Sequence, residues 1–202
     1  MKNLKMRLDS HFVAAAAVAA VAAVGAQQAQ ATVISSGPVN IPIPVTTAGV
    51  YLNFVTGVNS TSPSSAPGWD VNPWSTANLN MFNPSSPSGG VYVGDGTGWF
   101  NLAAGTLVSS ASSFNSGGPS SSTPLNFNSD NNYVGVRFLN EGTGLVNYAW
   151  FQVHLGASAT DPARAIIAYA YEDSGAGITV APAPASVALI GLGGLVAGRR
   201  RR

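Results

Sequence analysis

The clearest structural pattern in the chain is YVGVRFLNEGTGLVNYAWFQVHL, residues 133–155. Two runs rich in apolar and β-branched residues flank a Gly-containing turn at 140–144. Along 145–155 the side chains alternate between two sets: Tyr148, Trp150, Gln152 and His154, and Ala149, Phe151, Val153 and Leu155. A period of two places these sets on opposite faces of a strand, so the segment predicts a β-hairpin.

A further strand is expected at residues 165–171. Its alanines suit a helix, whereas residues such as Ile166 and Tyr169 suit a strand. We favour the strand because a hairpin without a third strand is marginally stable. Ile178-Thr179-Val180 is expected to close the domain.

The preceding sequence consists of short apolar runs, such as residues 50–55, too short for helices and bounded by turn formers. Long loops rich in Ser, Pro, Gly and Asn separate them, at 60–67, 83–90 and 109–124. The pattern predicts an all-β fold, a β-sandwich of the jelly-roll type. A signal helix is expected before this domain and a short apolar helix after it.

Charge is distributed unevenly along the chain. Only 8% of the 202 residues are charged, and seven of the nine basic residues lie near the termini. Between residues 32 and 180, two arginines stand against seven carboxylates, a net charge of −5. Nucleic acid is therefore not an expected partner. The absence of cysteine excludes disulfides, thiolate metal sites and cysteine nucleophiles.

The N-terminus has the order of a secretory signal peptide. Lys2, Lys5 and Arg7 precede an apolar run at 12–25, and small residues follow it. We expect cleavage by signal peptidase after Ala31, with Ala29 as the second small residue of the site. Residues 1–31 are thus assigned to the signal peptide, and an uncleaved anchor is the alternative.

The C-terminus combines a proline motif, an apolar run and a basic tail. A run of 14 residues, 185–198, is marginal for crossing a bilayer, but arginines can snorkel and the bilayer can thin. The basic tail would stay in the cytoplasm. The motif is Ala181, Pro182, Ala183 and Pro184; the apolar run includes Ala185, Leu189, Ile190, Leu192, Leu195 and Val196; the tail is Arg199, Arg200, Arg201 and Arg202.

This C-terminal arrangement resembles the PEP-CTERM sorting signal of exported Gram-negative proteins, with Ala183 in place of the usual glutamate. The resemblance implies an inner-membrane intermediate, processing by an exosortase, and delivery to the cell surface or an extracellular matrix. Residues 181–202 would form the sorting signal and residues 32–180 the ectodomain. The aromatic motifs of the ectodomain, such as those at 69–74 and 148–151, also look like a β-rich domain recurrent in PEP-CTERM proteins. A plain tail anchor is the alternative.

The middle of the chain shows no catalytic motif. His154 has no sequence neighbours that would complete a triad or a metal site, and Gly-x-Ser-x-Gly is absent. We therefore assign no catalytic residue and no metal ligand. A glycosidase would need two facing carboxyl groups, and the candidates by elimination are Asp70, Glu141, Glu172 and Asp173. Turns around Asp95 and Asp130 are oxygen-rich, which leaves calcium open as a cofactor.

Four tryptophans are candidates for stacking on sugar rings. Pro73 and Gly98 favour exposed strand edges for Trp74 and Trp99. The sequence thus predicts a non-enzymatic exported surface or matrix protein associated with extracellular polysaccharide. The alternatives are a lectin-like carbohydrate-binding module, which requires an exposed aromatic ring beside Asp and Asn in one groove, and a polysaccharide hydrolase, which requires two carboxylates in one cleft.

Overall fold

The computed structural model describes residues 32–118 and 120–181 of the protein. Within these ranges the chain forms β-strands and one 3-10 turn, Pro63–Ser65. Every pairing between the strands named below is antiparallel. The predicted all-β class is confirmed, and the jelly-roll subtype stays a prediction. The two flanking helices were predicted for segments outside the described residues.

In chain order the strands are β1 (Val33–Ser35), β2 (Ile41–Pro42), β3 (Tyr51–Leu52), β4 (Asn59–Ser60), β5 (Asn72–Trp74), β6 (Asn80–Phe82), β7 (Tyr92–Val93), β8 (Leu107–Val108), β9 (Phe114–Asn115), β10 (Gly117–Gly118), β11 (Ser129–Asn140), β12 (Leu145–Leu155), β13 (Ala165–Glu172) and β14 (Ile178–Thr179).

The predicted hairpin is β11 and β12, whose register runs from Asn140 opposite Leu145 to Ser129 opposite Leu155. The amide of Gly144 closes the turn by donating to the carbonyl of Asn140 at 2.7 Å. Gly144 has φ +71°, a left-handed conformation that glycine adopts without steric cost. The Gly-rich sequence of the turn therefore stabilises the hairpin directly.

The hairpin lies at the centre of the largest sheet. Its order is β1-β13-β12-β11-β7-β9, and β2 also pairs with β13. Three smaller sheets are formed by β10-β6-β5, by β14-β8 and by β3-β4. Their strands are only two or three residues long, as expected for apolar runs interrupted by turn formers.

Both faces of the central hairpin are covered. Ala149, Phe151 and Val153 of β12 belong to a large core on one face, and Tyr148 and Trp150 belong to a second core on the other. The predicted alternation is confirmed. Because each face packs against other segments, β12 is buried along most of its length.

β13 is a strand, as predicted, and its alanines have a packing role. Ala170 lies opposite Trp150, and Ala168 lies opposite Gln152. Both alanines are buried in the second core with Trp150. The alanines that suggested a helix thus leave room for a large indole ring on the neighbouring strand.

Candidate functional site

Three loops of the described structure meet around a cleft of about 210 Å³. They are the segment before β5, the segment after β6, and the end of β11 with its hairpin turn. The lining residues are Gly68, Trp69, Asp70, Pro84, Ser85, Ser86, Leu139 and Glu141. The cleft thus combines an aromatic ring, two hydroxyl groups and two carboxyl groups.

Gly68 allows the loops to approach each other. It has φ +65°, and a Cβ at this position would overlap the carboxylate of Glu141. The buried side chain of Asn53 holds the same loop, since its Nδ2 donates to the carbonyls of Gly68 at 2.7 Å and of Pro67 at 3.2 Å. A glycine at position 68 therefore permits the close position of the Glu141 carboxylate.

Asp70 forms the buried side of the cleft, with only 3% of its surface exposed. Its Oδ2 accepts a hydrogen bond from the Phe54 amide at 2.7 Å. Burial raises the pKa of Asp70 to about 8; the Phe54 hydrogen bond opposes this shift, and the negative charge of Glu141 adds to it. At neutral pH Asp70 is therefore a neutral acid with a proton to donate.

Trp69 supplies the aromatic wall and is partly exposed. Its ring stacks against Phe82 at 5.9 Å between centroids and meets Tyr51 edge-on at 4.9 Å. Phe82 itself is 52% exposed. The three rings form an aromatic strip, defined here as Tyr51, Trp69 and Phe82, which fixes the orientation of Trp69 beside the acidic groups.

The two tryptophans favoured from sequence do not line this cleft. Trp99 is 0% exposed, so the expectation of an exposed ring is wrong. Bridges from Trp99 to Gly94 and Ser121 draw the residue inward, and its ring joins the large core. Trp74 ends β5 and is half-buried.

Trp69 was the tryptophan that sequence reasoning passed over. Its neighbours Gly68 and Asp70 were a usable signal, since a turn glycine and a carboxyl group flank the ring directly. Ser85 and Ser86 lie in a loop whose composition gave no sign of a site.

Two of the four candidate carboxylates converge and two do not. Asp70 and Glu141 share the cleft. Glu172 is buried at the end of β13, where its Oε1 accepts from the Ser174 amide at 2.7 Å. Asp173 accepts from the amide of Thr32 at 3.1 Å. Neither of these two residues lines the cleft.

The turns considered for calcium are held by internal hydrogen bonds. Oδ1 of Asp95 accepts from Thr97, Gly98 and Ser122, and the Thr97 bonds in particular lower the pKa of Asp95 to about 2. Oδ1 of Asp130 lies 2.5 Å from Nδ1 of His154. Among residues 32–118 and 120–181, no three His, Cys, Asp or Glu side chains gather as a metal site.

The predicted signal peptide, its cleavage site and almost all of the predicted sorting signal lie outside the described residues. Only Ala181 of the proline motif falls within them, and it is exposed. No helix in the described part of the chain is long and apolar enough to cross a membrane.

No protein-family model, no curated protein and no solved structure matches this chain.

Proposed function

We propose that the protein is a non-enzymatic, exported surface or matrix protein that binds extracellular polysaccharide through the cleft beside Trp69. The observation that carries this proposal is the partly exposed Trp69 ring, stacked against Phe82 and set next to Asp70 and Glu141. The lectin-like alternative requires an exposed aromatic ring beside Asp and Asn in one groove, and the described lining of the cleft supplies the ring and Asp70, with Glu141 in place of an asparagine. We therefore join the surface-protein and carbohydrate-binding hypotheses in one proposal.

The chemistry of the cleft fits a sugar ring. An aromatic face attracts the slightly positive C–H groups on one side of a pyranose, and burial of that side removes apolar surface from water. Hydroxyls at the edge of the ring need polar partners, which Ser85, Ser86 and Glu141 supply. A cleft open to solvent suits a unit within a long polymer.

The chain termini support the cellular part of the proposal. Residues 1–31 have the pattern of a signal peptide, and residues 181–202 resemble the PEP-CTERM signal. On this proposal signal peptidase and an exosortase-type enzyme process the chain, and an inner-membrane intermediate precedes delivery to the surface. A jelly-roll arrangement of the ectodomain belongs to the same proposal.

Affinity electrophoresis of the full chain in gels containing neutral polysaccharides tests the binding function. Trp69→Ala should weaken retention about tenfold or more, because it removes the stacking surface. Trp74→Ala is the matched control, since Trp74 is also half-buried but lies outside the cleft. Equal retention of both variants and of the wild type would contradict the proposal.

Intact-mass measurement on membrane, surface and medium fractions of the native host tests export and sorting. The proposal expects the surface or medium form to lack both terminal segments, and deletion of residues 180–202 to prevent surface delivery. If membrane-bound protein keeps its tail through Arg202, residues 185–198 act as a membrane anchor, and the sorting hypothesis is contradicted.

Hydrolysis of polysaccharide is a second candidate function, favoured by one specific observation. Asp70 and Glu141 share the cleft, and the raised pKa of Asp70 suits a general acid while Glu141 would act as base or nucleophile. Incubation with bound polysaccharide followed by assay of new reducing ends tests it. Loss of product in both Asp70→Asn and Glu141→Gln would support hydrolysis, and absence of product from wild type would eliminate it.

A further inference from the structure

The ionisable side chains that line the described cleft are all carboxyl groups. Among the described residues, the titratable ones that line the cleft are Asp70 and Glu141, and none of the lining residues is a lysine, arginine or histidine. Ser85 and Ser86 add neutral hydroxyls. Recognition of a carboxylate, sulfate or phosphate group ordinarily uses arginine or lysine, whose donors match those oxygens and whose charge offsets theirs.

The basic side chains of residues 32–180 are committed elsewhere. The guanidinium of Arg164 is 0% exposed, and its nitrogens donate to five backbone carbonyls. Arg137 donates to the carbonyls of Gly90 at 2.8 Å and Ser88 at 2.9 Å, and it lies over the Phe114 ring. His154 is paired with Asp130. None of these three side chains lines the cleft.

The two carboxyl groups can play different roles toward a ligand. Oδ2 of Asp70 accepts a hydrogen bond from the Phe54 amide. Among the described residues, Oδ1 of Asp70 has no hydrogen-bond partner and is available to a ligand. Glu141 is exposed and carries a negative charge at its edge of the cleft. One group thus offers a proton and the other offers a strong acceptor, a pair that matches neighbouring hydroxyls on an uncharged sugar.

We infer that the cleft selects neutral sugar units, with Asp70 donating to one hydroxyl and Glu141 accepting from another, and that it rejects uronic and sulfated sugars. This inference rests on the proposed function and adds the substrate class. Rejection follows because an anionic sugar would face the Glu141 charge with no cation among the described lining residues to offset it. The net charge of −5 on residues 32–180 acts in the same direction.

Matched polymers separate charge from backbone chemistry. The full chain is run in gels that contain dextran or dextran sulfate, and hydroxyethylcellulose or carboxymethylcellulose, at low and high ionic strength. Retention by the neutral member of a pair is expected to be about tenfold stronger than retention by the anionic member. Stronger retention by the anionic member, still lost in Trp69→Ala, would overturn this inference and leave the proposed function standing. Retention by none of the four polymers would defeat both.

Glu141→Gln tests whether the Glu141 charge causes the selectivity. Because Glu141 is exposed, the substitution should leave the fold intact. The Glu141→Gln variant should bind the neutral polymer several-fold more weakly, because a side-chain amide is a poorer acceptor than a carboxylate. The ratio of retention by the neutral polymer to retention by the anionic polymer should therefore be smaller than in the wild type. An unchanged ratio would contradict the role of Glu141. Trp74→Ala again serves as the control with an unchanged ratio.

Asp70→Asn tests the donor. The amide can still donate, so neutral-polymer binding near neutral pH should persist, whereas wild-type binding should weaken as the pH rises through about 8. The titratable groups facing Asp70 are Glu141 and Tyr92; burial raises the Tyr92 pKa, so its hydroxyl stays protonated and donates to the Phe82 carbonyl. Loss of binding in wild type and variant over the same pH range would contradict donation by Asp70.

Discussion

Asp70 is an acidic side chain placed where its charge is unfavourable. The Phe54 amide satisfies one oxygen, but burial outweighs that bond and holds the pKa at about 8. Between the ordinary value of 3.8 and about 8, the folded protein therefore keeps a proton that the unfolded chain has released. The Asp70 contribution to the free energy of unfolding should therefore fall as pH rises through this window.

Asp70→Asn should remove this dependence. The asparagine keeps an oxygen for the Phe54 amide but does not titrate, so the stability of the variant should be flatter in pH. In the wild type the Asp70 contribution has a slope approaching about 1.4 kcal/mol per pH unit inside the window. Urea unfolding at several pH values measures both slopes. An unchanged slope in Asp70→Asn would contradict burial of a protonated Asp70.

Arg164 is a second residue whose role follows from its surroundings. Its fully buried guanidinium donates to the carbonyls of Ile43, Pro44, Ser75, Asn78 and Ala159 at 2.7–2.9 Å. These carbonyls belong to three separate parts of the chain. Arg164 thus joins them, and no carboxylate within residues 32–118 and 120–181 forms an ion pair with it.

Arg164→Lys should destabilise the fold by about 3 kcal/mol or more, because an ammonium has three donors for five positioned carbonyls. The matched control is Arg137→Lys, because the Arg137 side chain is partly exposed and donates to only two carbonyls. This variant should lose about 1 kcal/mol of unfolding free energy. Urea denaturation measures the free energy of unfolding of both variants. Equal losses would contradict a larger stabilising contribution from the buried Arg164 hydrogen bonds.

Among the strands, β11 carries a glycine that packing requires. A Cβ on Gly135 would lie 2.7 Å from side-chain carbons of Leu102 and Val108 and 2.9 Å from Val93. Gly135 does not have a positive φ. The constraint is therefore contact with the second core and not backbone conformation.

Gly135→Val should destabilise the protein by about 1–3 kcal/mol through overpacking. Amide hydrogen exchange should become faster in β8 and β14, which contribute to the second core, and should change less in β13. Leu145→Val, at an exposed position of β12, is the control and should change stability by less than about 0.5 kcal/mol. A stable Gly135→Val with unchanged exchange would disprove the packing role.

The elements differ in how far sequence predicts them. β11 and β12 were predictable because they are long, flank a Gly-containing turn and, in β12, alternate between two sets of side chains. β13 was less clear, since its alanines also suited a helix. The two- and three-residue strands carry too few residues to show a period, and some of them pair with segments far away along the chain, as β8 does with β14. Trp99 shows the consequence, since its burial depends on a bridge to Ser121.

The cleft shows the same limit. The sequence named Asp70 and Glu141 only by elimination, because they are 71 positions apart in the numbering and meet through the approach at Gly68. Trp69 carries no local mark that distinguishes it from Trp74 beyond its neighbours. Side chains that converge from separate loops are set by tertiary contacts, which local composition does not encode.

The chain carries a negative net charge between residues 32 and 180 and a positive net charge near its ends. Seven basic residues lie in the predicted signal peptide and tail, and the remainder carries −5. Processing at both ends should therefore convert a chain with pI ≈ 8.1 into an acidic protein. Isoelectric focusing of the surface fraction measures this directly, with the uncleaved full chain as reference. A basic surface form would contradict removal of the termini.

Binding at the aromatic strip can be followed through the four tryptophans, each of which has one indole N–H resonance. Titration of the ¹⁵N-labelled full chain with an oligosaccharide of the retained neutral polymer, assigned by single Trp→Phe variants, should shift the Trp69 resonance. The resonances of Trp99 and Trp150, which lie in the two cores, should stay in place. Saturable sugar binding with an unmoved Trp69 resonance, or with a shift at Trp74 alone, would contradict a sugar site beside Trp69.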